Sequence, residues 1–225
     1  MKCILNSGKR SVIKAVFLLI GALAVPGAAV PQQATFDKMN VGAEVRNIEI
    51  ETAGEVTVLL EKSAGSLGVE DLKYEQADFY PVTATVSGDT IKLKIAGNKT
   101  WLRSGSGKMR ASLRLLLPEG KNIRISGGSL KISGQVSALA LKLSAGVLTA
   151  ENMQAEVGGA LRIDGGVVRL DATVNNAASV KVSGGAVSGK LRVPETAKLD
   201  TGRRNSKLKV YYIAGQGTLP GNKGR

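Results

Sequence analysis

The chain has 225 residues, enough for one sizeable core, and 43% of them are hydrophobic. Histidine is absent and the one cysteine is Cys3, which excludes most nucleophile–base pairs, Cys/His zinc centres and disulfides. Aromatics are only 4%, 28 residues are glycine and the formal charge is +13, so the core is aliphatic and an anionic partner is worth asking about.

The N-terminal segment reads as an export signal. Lys2, Lys9, Arg10 and Lys14 precede an apolar run from Ala15 to Val25, and the small residues Gly27, Ala28 and Ala29 follow. That basic–apolar–small order predicts cleavage after Ala28 or Ala29. Ala15 to Val30 is interrupted by Pro26 and falls short of the ~20 residues that span a bilayer, so no transmembrane span is expected after cleavage. Cys3 leaves with the signal. The predicted layout is a signal peptide at 1–29, a strand-repeat domain at 30–214 and a disordered tail at 215–225. The protein is then exported, whether to the periplasm, the cell surface or the medium.

In the first half, Ile48-Glu49-Ile50, Ala53-Gly54 and Val56-Thr57-Val58 give strand, corner and strand. The polar stretch from Lys62 to Gln76 reads as a loop. A Ser87-Gly88-Asp89 turn leads into the strand Ile91-Lys92-Leu93-Lys94. A second irregular stretch, from Ala96 to Lys108, holds Trp101, read as partly buried under a loop, with a ligand-stacking platform as the alternative.

The second half repeats one phrase, with its regular copies at 120–212. It occurs as Ile123-Arg124-Ile125-Ser126-Gly127-Gly128, then Leu141-Lys142-Leu143-Ser144-Ala145-Gly146. It returns as Leu161-Arg162-Ile163-Asp164-Gly165-Gly166, then Val180-Lys181-Val182-Ser183-Gly184-Gly185, with a worn copy at Leu199-Asp200-Thr201-Gly202. The small polar residue recurs in steps of 18, 20, 19 and 18 residues. A period near twenty marks a repeat array. Alternation puts the aliphatics inward and the cation outward, and the glycine pair is expected to turn a corner with positive φ. No stretch carries the 3.6-residue spacing of a helix. The predicted fold is all-β, a single-domain, right-handed β-helix-like solenoid with rungs of about 18–20 residues. An antiparallel sandwich is the alternative. The inward set is Ile123, Ile125, Leu141, Leu143, Leu161, Ile163, Val180 and Val182.

The signal peptide, Leu115-Leu116-Leu117-Pro118-Glu119-Gly120 and the glycine-punctuated strands together resemble bacterial families described as putative adhesins with β-strand repeats. Among these is the auto-transporter adhesin head (GIN) domain. The resemblance covers roughly Phe36 to Tyr212, and Leu191-Arg192-Val193-Pro194-Glu195 is similar to the first aliphatic–proline phrase without its glycine. It implies an extracytoplasmic β-solenoid with an adhesive role and offers no catalytic residues to carry over.

No constellation points to chemistry, so the expectation is a non-enzyme without cofactor or metal. Asp164 occupies the place of Ser126, Ser144 and Ser183, and reads as a corner residue bonded to its own backbone. Val167, Val187 and Ser129 follow the glycine pairs where a calcium roll requires aspartate. Charge is the informative feature. From Val30 to Glu119 there are 11 basic and 12 acidic residues, a net 11 − 12 = −1, whereas Gly120 to Arg225 carries 16 and 6, a net 16 − 6 = +10. Arg124, Lys142, Arg162 and Lys181 hold one place in successive copies and predict an outward ladder. Lys131, Arg169 and Lys190 lie on or beside a second strand row. The ladder is either a solvated face or a track for an anionic glycan, lipopolysaccharide or another envelope polymer. A protein partner is a further option. Nucleic acid is not expected, because no aromatics interleave with the cations. The function readings are an adhesin-like envelope or surface binder, a small lyase-like carbohydrate-active enzyme, or a purely structural array.

Overall fold

The computed structural model describes residues 36, 38–74, 82–95, 110–202 and 206–214. The expected signal at 1–29, the stretch 96–108 with Trp101, and the tail 215–225 lie outside the described residues. Every regular element described is a strand. In chain order these are β1 (Lys38–Asn40), β2 (Asn47–Thr52), β3 (Glu55–Ser63), β4 (Ser66–Tyr74), β5 (Val82–Ser87) and β6 (Thr90–Ile95). They continue as β7 (Arg110–Pro118), β8 (Lys121–Val157), β9 (Ala160–Asn175), β10 (Ser179–Pro194), β11 (Lys198–Asp200) and β12 (Ser206–Ile213).

Alternation sets the register. Within the repeats the pairing is parallel, one copy against the next: Leu141 faces Leu161, Leu161 faces Val180, and Val180 faces Leu199. A slip of one residue would turn the whole aliphatic set to solvent, so the pattern fixes the alignment. All eight expected inward residues are buried, none more than 2% exposed. The same register runs through the second strand of each copy, where Leu148, Val168 and Val187 are buried, and through a third segment with Met153, Ala172 and Leu191. Each buried Val, Leu, Ile or Met in this set contributes about 1.5–3 kcal/mol of burial, and the alanine less. Among the described residues, no Phe, Tyr or Trp belongs to the buried hydrophobic core.

The first half joins the array out of chain order. β2 lies between β6 and β8, so Ile48 faces Ile91 on one side and Ile123 on the other. Likewise β3 lies between β7 and β8, with Val56 facing Ala111 and Leu130. Antiparallel strands complete that end: β5 pairs with β6, β4 with β7, and β1 with β4.

Two expectations are corrected. Of the stretch from Lys62 to Gln76, expected as a loop, the described residues 62–74 are mostly strand: β3 runs through Ser63, and β4 follows after a two-residue bend. Leu67 and Val69 alternate into the core and are buried, which holds β4 against β7 although its other residues are mostly polar. Asp71, at φ 52°, lies where the register shifts between Glu70 and Lys73. That bulge breaks the period-two signal in the sequence. The second correction concerns the glycine pairs. Positive φ occurs at Gly54, Gly134 and Gly189, and at none of the pairs 127/128, 165/166 or 184/185. The pairs serve close approach instead. A Cβ on Gly146 would sit 2.8 Å from the carbonyl oxygen of Gly128, and one on Gly166 would sit 2.7 Å from that of Gly146.

Candidate functional site

The parallel register builds one outward row across seven strand segments. Lys92 faces Glu49, and Glu49 faces Arg124. Lys142 faces Arg162, Arg162 faces Lys181, and Lys181 faces Asp200. The 18-residue step that sets Gly146 against Gly128 also carries Lys142 beside Arg124, and both line one depression. The four predicted ladder cations therefore share a face, spaced by the ~4.8 Å between neighbouring strands.

The four are not electrostatically equivalent. Lys181 Nζ lies 2.9 Å from Asp200, and Arg162 Nε lies 2.6 Å from Asp164. At the other end of the row Lys92 holds Glu49 at 3.0 Å. Arg124 and Lys142 have no ion-pair partner among the described residues, so the cations of the row that are not ion-paired stand on two neighbouring strands. Like charges at that spacing repel by about 1 kcal/mol in water, an amount a partly exposed pair tolerates.

Asp164 is the polar centre of the row. Burial pushes its carboxyl up, but hydrogen bonds from Ser183 Oγ and Arg162 Nε, with the charges of Arg162 and Lys142, outweigh burial and hold it below the usual aspartate range. It accepts from side chains, not from its own backbone as the corner reading expected. The reason is register: Ser144 and Ser183 face it on both sides, and the hydroxyl of Ser183 donates to it. Asp200 is also lowered, by hydrogen bonds from Lys181 and from the Gly202 amide.

Of the second set, Lys131 and Arg169 take equivalent places on the second strand row: Lys131 faces Thr57, and Arg169 faces Thr149 and Ser188. Lys131 is ion-paired with Glu151 at 2.9 Å. Lys190 does not share that row. It faces Asp171 and Lys209 on the following segment, beyond the turn at Gly189, whose φ is 109°.

A depression of about 310 Å³ lies beside the unpaired cations. One wall is the row Glu49, Arg124, Lys142, Arg162; the other is the outward row two residues earlier, Asn47, Asn122, Ala140, Ala160. The two alanines leave the space. Asn122 Nδ2 donates to Asn47 Oδ1 at 3.0 Å, and Asn47 Nδ2 donates to Asp89 Oδ1 at 3.2 Å, which orients both amides. Sequence reasoning stopped at the cations and missed this second row. Reading the repeat phrase two positions earlier would have shown it as Asn122, Ala140, Ala160 and Ser179.

No protein-family model matches the chain, and no curated protein matches it. A crystal structure described as a putative cell adhesion protein from Clostridium sporogenes is similar at 16% identity, over 77% of this chain and 98% of that one, with a TM-score of 0.37. Likeness at that level carries no argument about fold or function.

Proposed function

We propose that this is an exported, non-catalytic, adhesin-like protein of the cell envelope or surface, wound as a β-solenoid, that binds an anionic polymer through its basic face. The observation that carries the reading is the register placing Arg124, Lys142, Arg162 and Lys181 in one outward row. A repeated cation on a repeated strand suits a polymer with repeated anions, because each strand offers one contact at a fixed spacing. The solenoid winding is supported by parallel pairing between copies about nineteen residues apart and by three buried segments per copy. Export is supported by the basic–apolar–small order of the first thirty residues. The binder is favoured over a lyase-like enzyme because the depression holds one carboxylate among the described residues, Glu49, and Lys92 occupies it.

The test is binding of the mature chain to heparin, a model polyanion, and to lipopolysaccharide at low and at physiological salt. Binding that weakens as salt rises is expected. Changing Arg124, Lys142, Arg162 and Lys181 together to Ser should leave the strand signal in circular dichroism intact while lowering affinity and flattening the salt dependence. A folded quadruple variant that binds as well as the parent overturns the reading, as does a parent that binds neither polyanion at low salt.

A further inference from the structure

We propose that the depression beside Arg124 and Lys142 is a discrete seat for one carboxylate-bearing sugar, a hexuronate residue of an acidic glycan. The inference rests on the reading of this face as a glycan binder and narrows it from a ladder of four cations to one subsite.

Three features of the site point there. First, charge is available at only part of the ladder: Asp164 and Asp200 are ion-paired with Arg162 and Lys181, whereas Arg124 and Lys142 form no ion pair among the described residues, with Glu49 across from Arg124 and Asp164 within the field of Lys142. A guanidinium next to an ammonium is a fit for a single carboxylate, with a forked donor on one side and a point charge on the other. Second, there is room at that place. Ala140 and Ala160 replace the longer Asn122 of the same row, and the resulting volume of about 310 Å³ is at the lower end of small-ligand sites. Third, the remaining polar groups suit hydroxyls. The Asn122 amide nitrogen is committed to Asn47, so its Oδ1 is presented as an acceptor that takes no hydrogen bond among the described residues. Glu49, on the opposite wall, holds Lys92 through Oε2 and adds a second carboxylate acceptor. A carboxylate in the lining repels a dianionic phosphate but accepts from a sugar hydroxyl, so a monoanionic polyol is the better occupant than phosphate.

The experiment uses the full mature chain, with a galacturonate trisaccharide, the neutral galactose trisaccharide and inorganic phosphate as probes. Calorimetry and the Asn122 side-chain amide resonances are the readouts. The galacturonate probe should bind and shift the Asn122 amide, and the other two should bind at least about tenfold more weakly. Ala160→Leu fills the space without touching charge and should lower galacturonate affinity about tenfold, as should Arg124→Gln with Lys142→Gln. Lys73→Gln, on β4 and outside both the depression and the cation row, should stay within about twofold, the scale of an exposed surface charge. Equal binding of phosphate, an Ala160→Leu variant that binds like the parent, or a loss with Lys73→Gln equal to that of the double variant overturns the seat. These results leave the polymer reading standing if heparin binding still falls with the quadruple Ser variant. Loss of all polyanion binding by the parent removes both.

Discussion

Gly146 packs against Gly128 so closely that a Cβ on residue 146 would lie 2.8 Å from the Gly128 carbonyl oxygen. The same relationship continues from Gly166 to Gly146 at 2.7 Å and from Gly185 to Gly166 at 3.0 Å. These glycines are selected by backbone approach between neighbouring strands, not by dihedral freedom. Real Cβ atoms do not come that near a backbone oxygen, and a strand within a parallel array has little space to retreat.

Gly146→Ala and Gly166→Ala should therefore each destabilise the fold by about 1–3 kcal/mol, the range for forced overpacking. Gly65→Ala is the control, since nothing lies within 4 Å of its Cβ position. It should be neutral or slightly stabilising, because alanine restricts the unfolded chain. Urea denaturation of the three variants checks the contrast, and equal midpoints would mean that the strands yield to the added methyl.

Arg124 and Ile125 test the two faces of one strand. Arg124 is exposed, and Ile125 is 0% exposed. Ile125→Asp puts a carboxylate into the aliphatic core, where the cost of several kcal/mol unfolds a marginally stable domain. Arg124→Ser should change stability by no more than about 0.5 kcal/mol, as surface substitutions do. Near- and far-ultraviolet circular dichroism of both proteins reads the difference. Two folded variants would contradict the assigned register.

That register is the part of the fold most legible in the sequence, because Ile123-Arg124-Ile125 and its copies state inward and outward positions directly. The out-of-order placement of β2 between β6 and β8 was not legible, since the 43 residues from Ile48 to Ile91 carry no recurring phrase that aligns them. β4 was hidden because only Leu67 and Val69 mark its core face and Asp71 interrupts the alternation. In the site, the cation row could be read from repeat spacing. Its partial neutralisation could not: Lys181 meets Asp200 because the worn final copy carries Asp where the other copies carry a cation, and only pairing brings the two together.

Arg114 on β7 reaches three carboxylates, Glu61 at 3.2 Å, Glu70 at 3.3 Å and Asp71 at 2.8 Å. Hydrogen bonding to Glu61 and the charge of Asp71 raise its pKa above the usual value, so it stays charged wherever the fold persists. Arg114→Gln leaves three acids facing one another with no cation between them. The expected result is faster amide exchange across Ser66–Tyr74, with exchange elsewhere unchanged, and partial recovery in high salt. Uniform exchange across the whole array would place the effect in global stability instead.

Asp164 gives the fold a defined acid sensitivity. Burial raises its carboxyl pKa, but the bonds from Ser183 and Arg162 outweigh burial and leave it below the ordinary 3.8. A carboxylate with a lowered folded pKa stabilises the native state above its unfolded pKa, and that contribution is lost as pH falls through the folded value. Stability should thus be level with respect to this group near neutrality and decline only below about pH 3.8. Asp164→Asn removes the charge that these bonds favour. It should be less stable than the parent near pH 7, and the gap should close as acid protonates the parent. Ser183→Ala keeps the carboxylate but deletes one donor, so the titration midpoint of Asp164 should move upward. Carbon-detected NMR of the Asp164 carboxyl, beside urea midpoints between pH 2 and 7, measures both effects. A stability gap that stays constant down to pH 2, or a midpoint unmoved by Ser183→Ala, would mean that the Ser183–Asp164 pair contributes nothing to holding the strands in register.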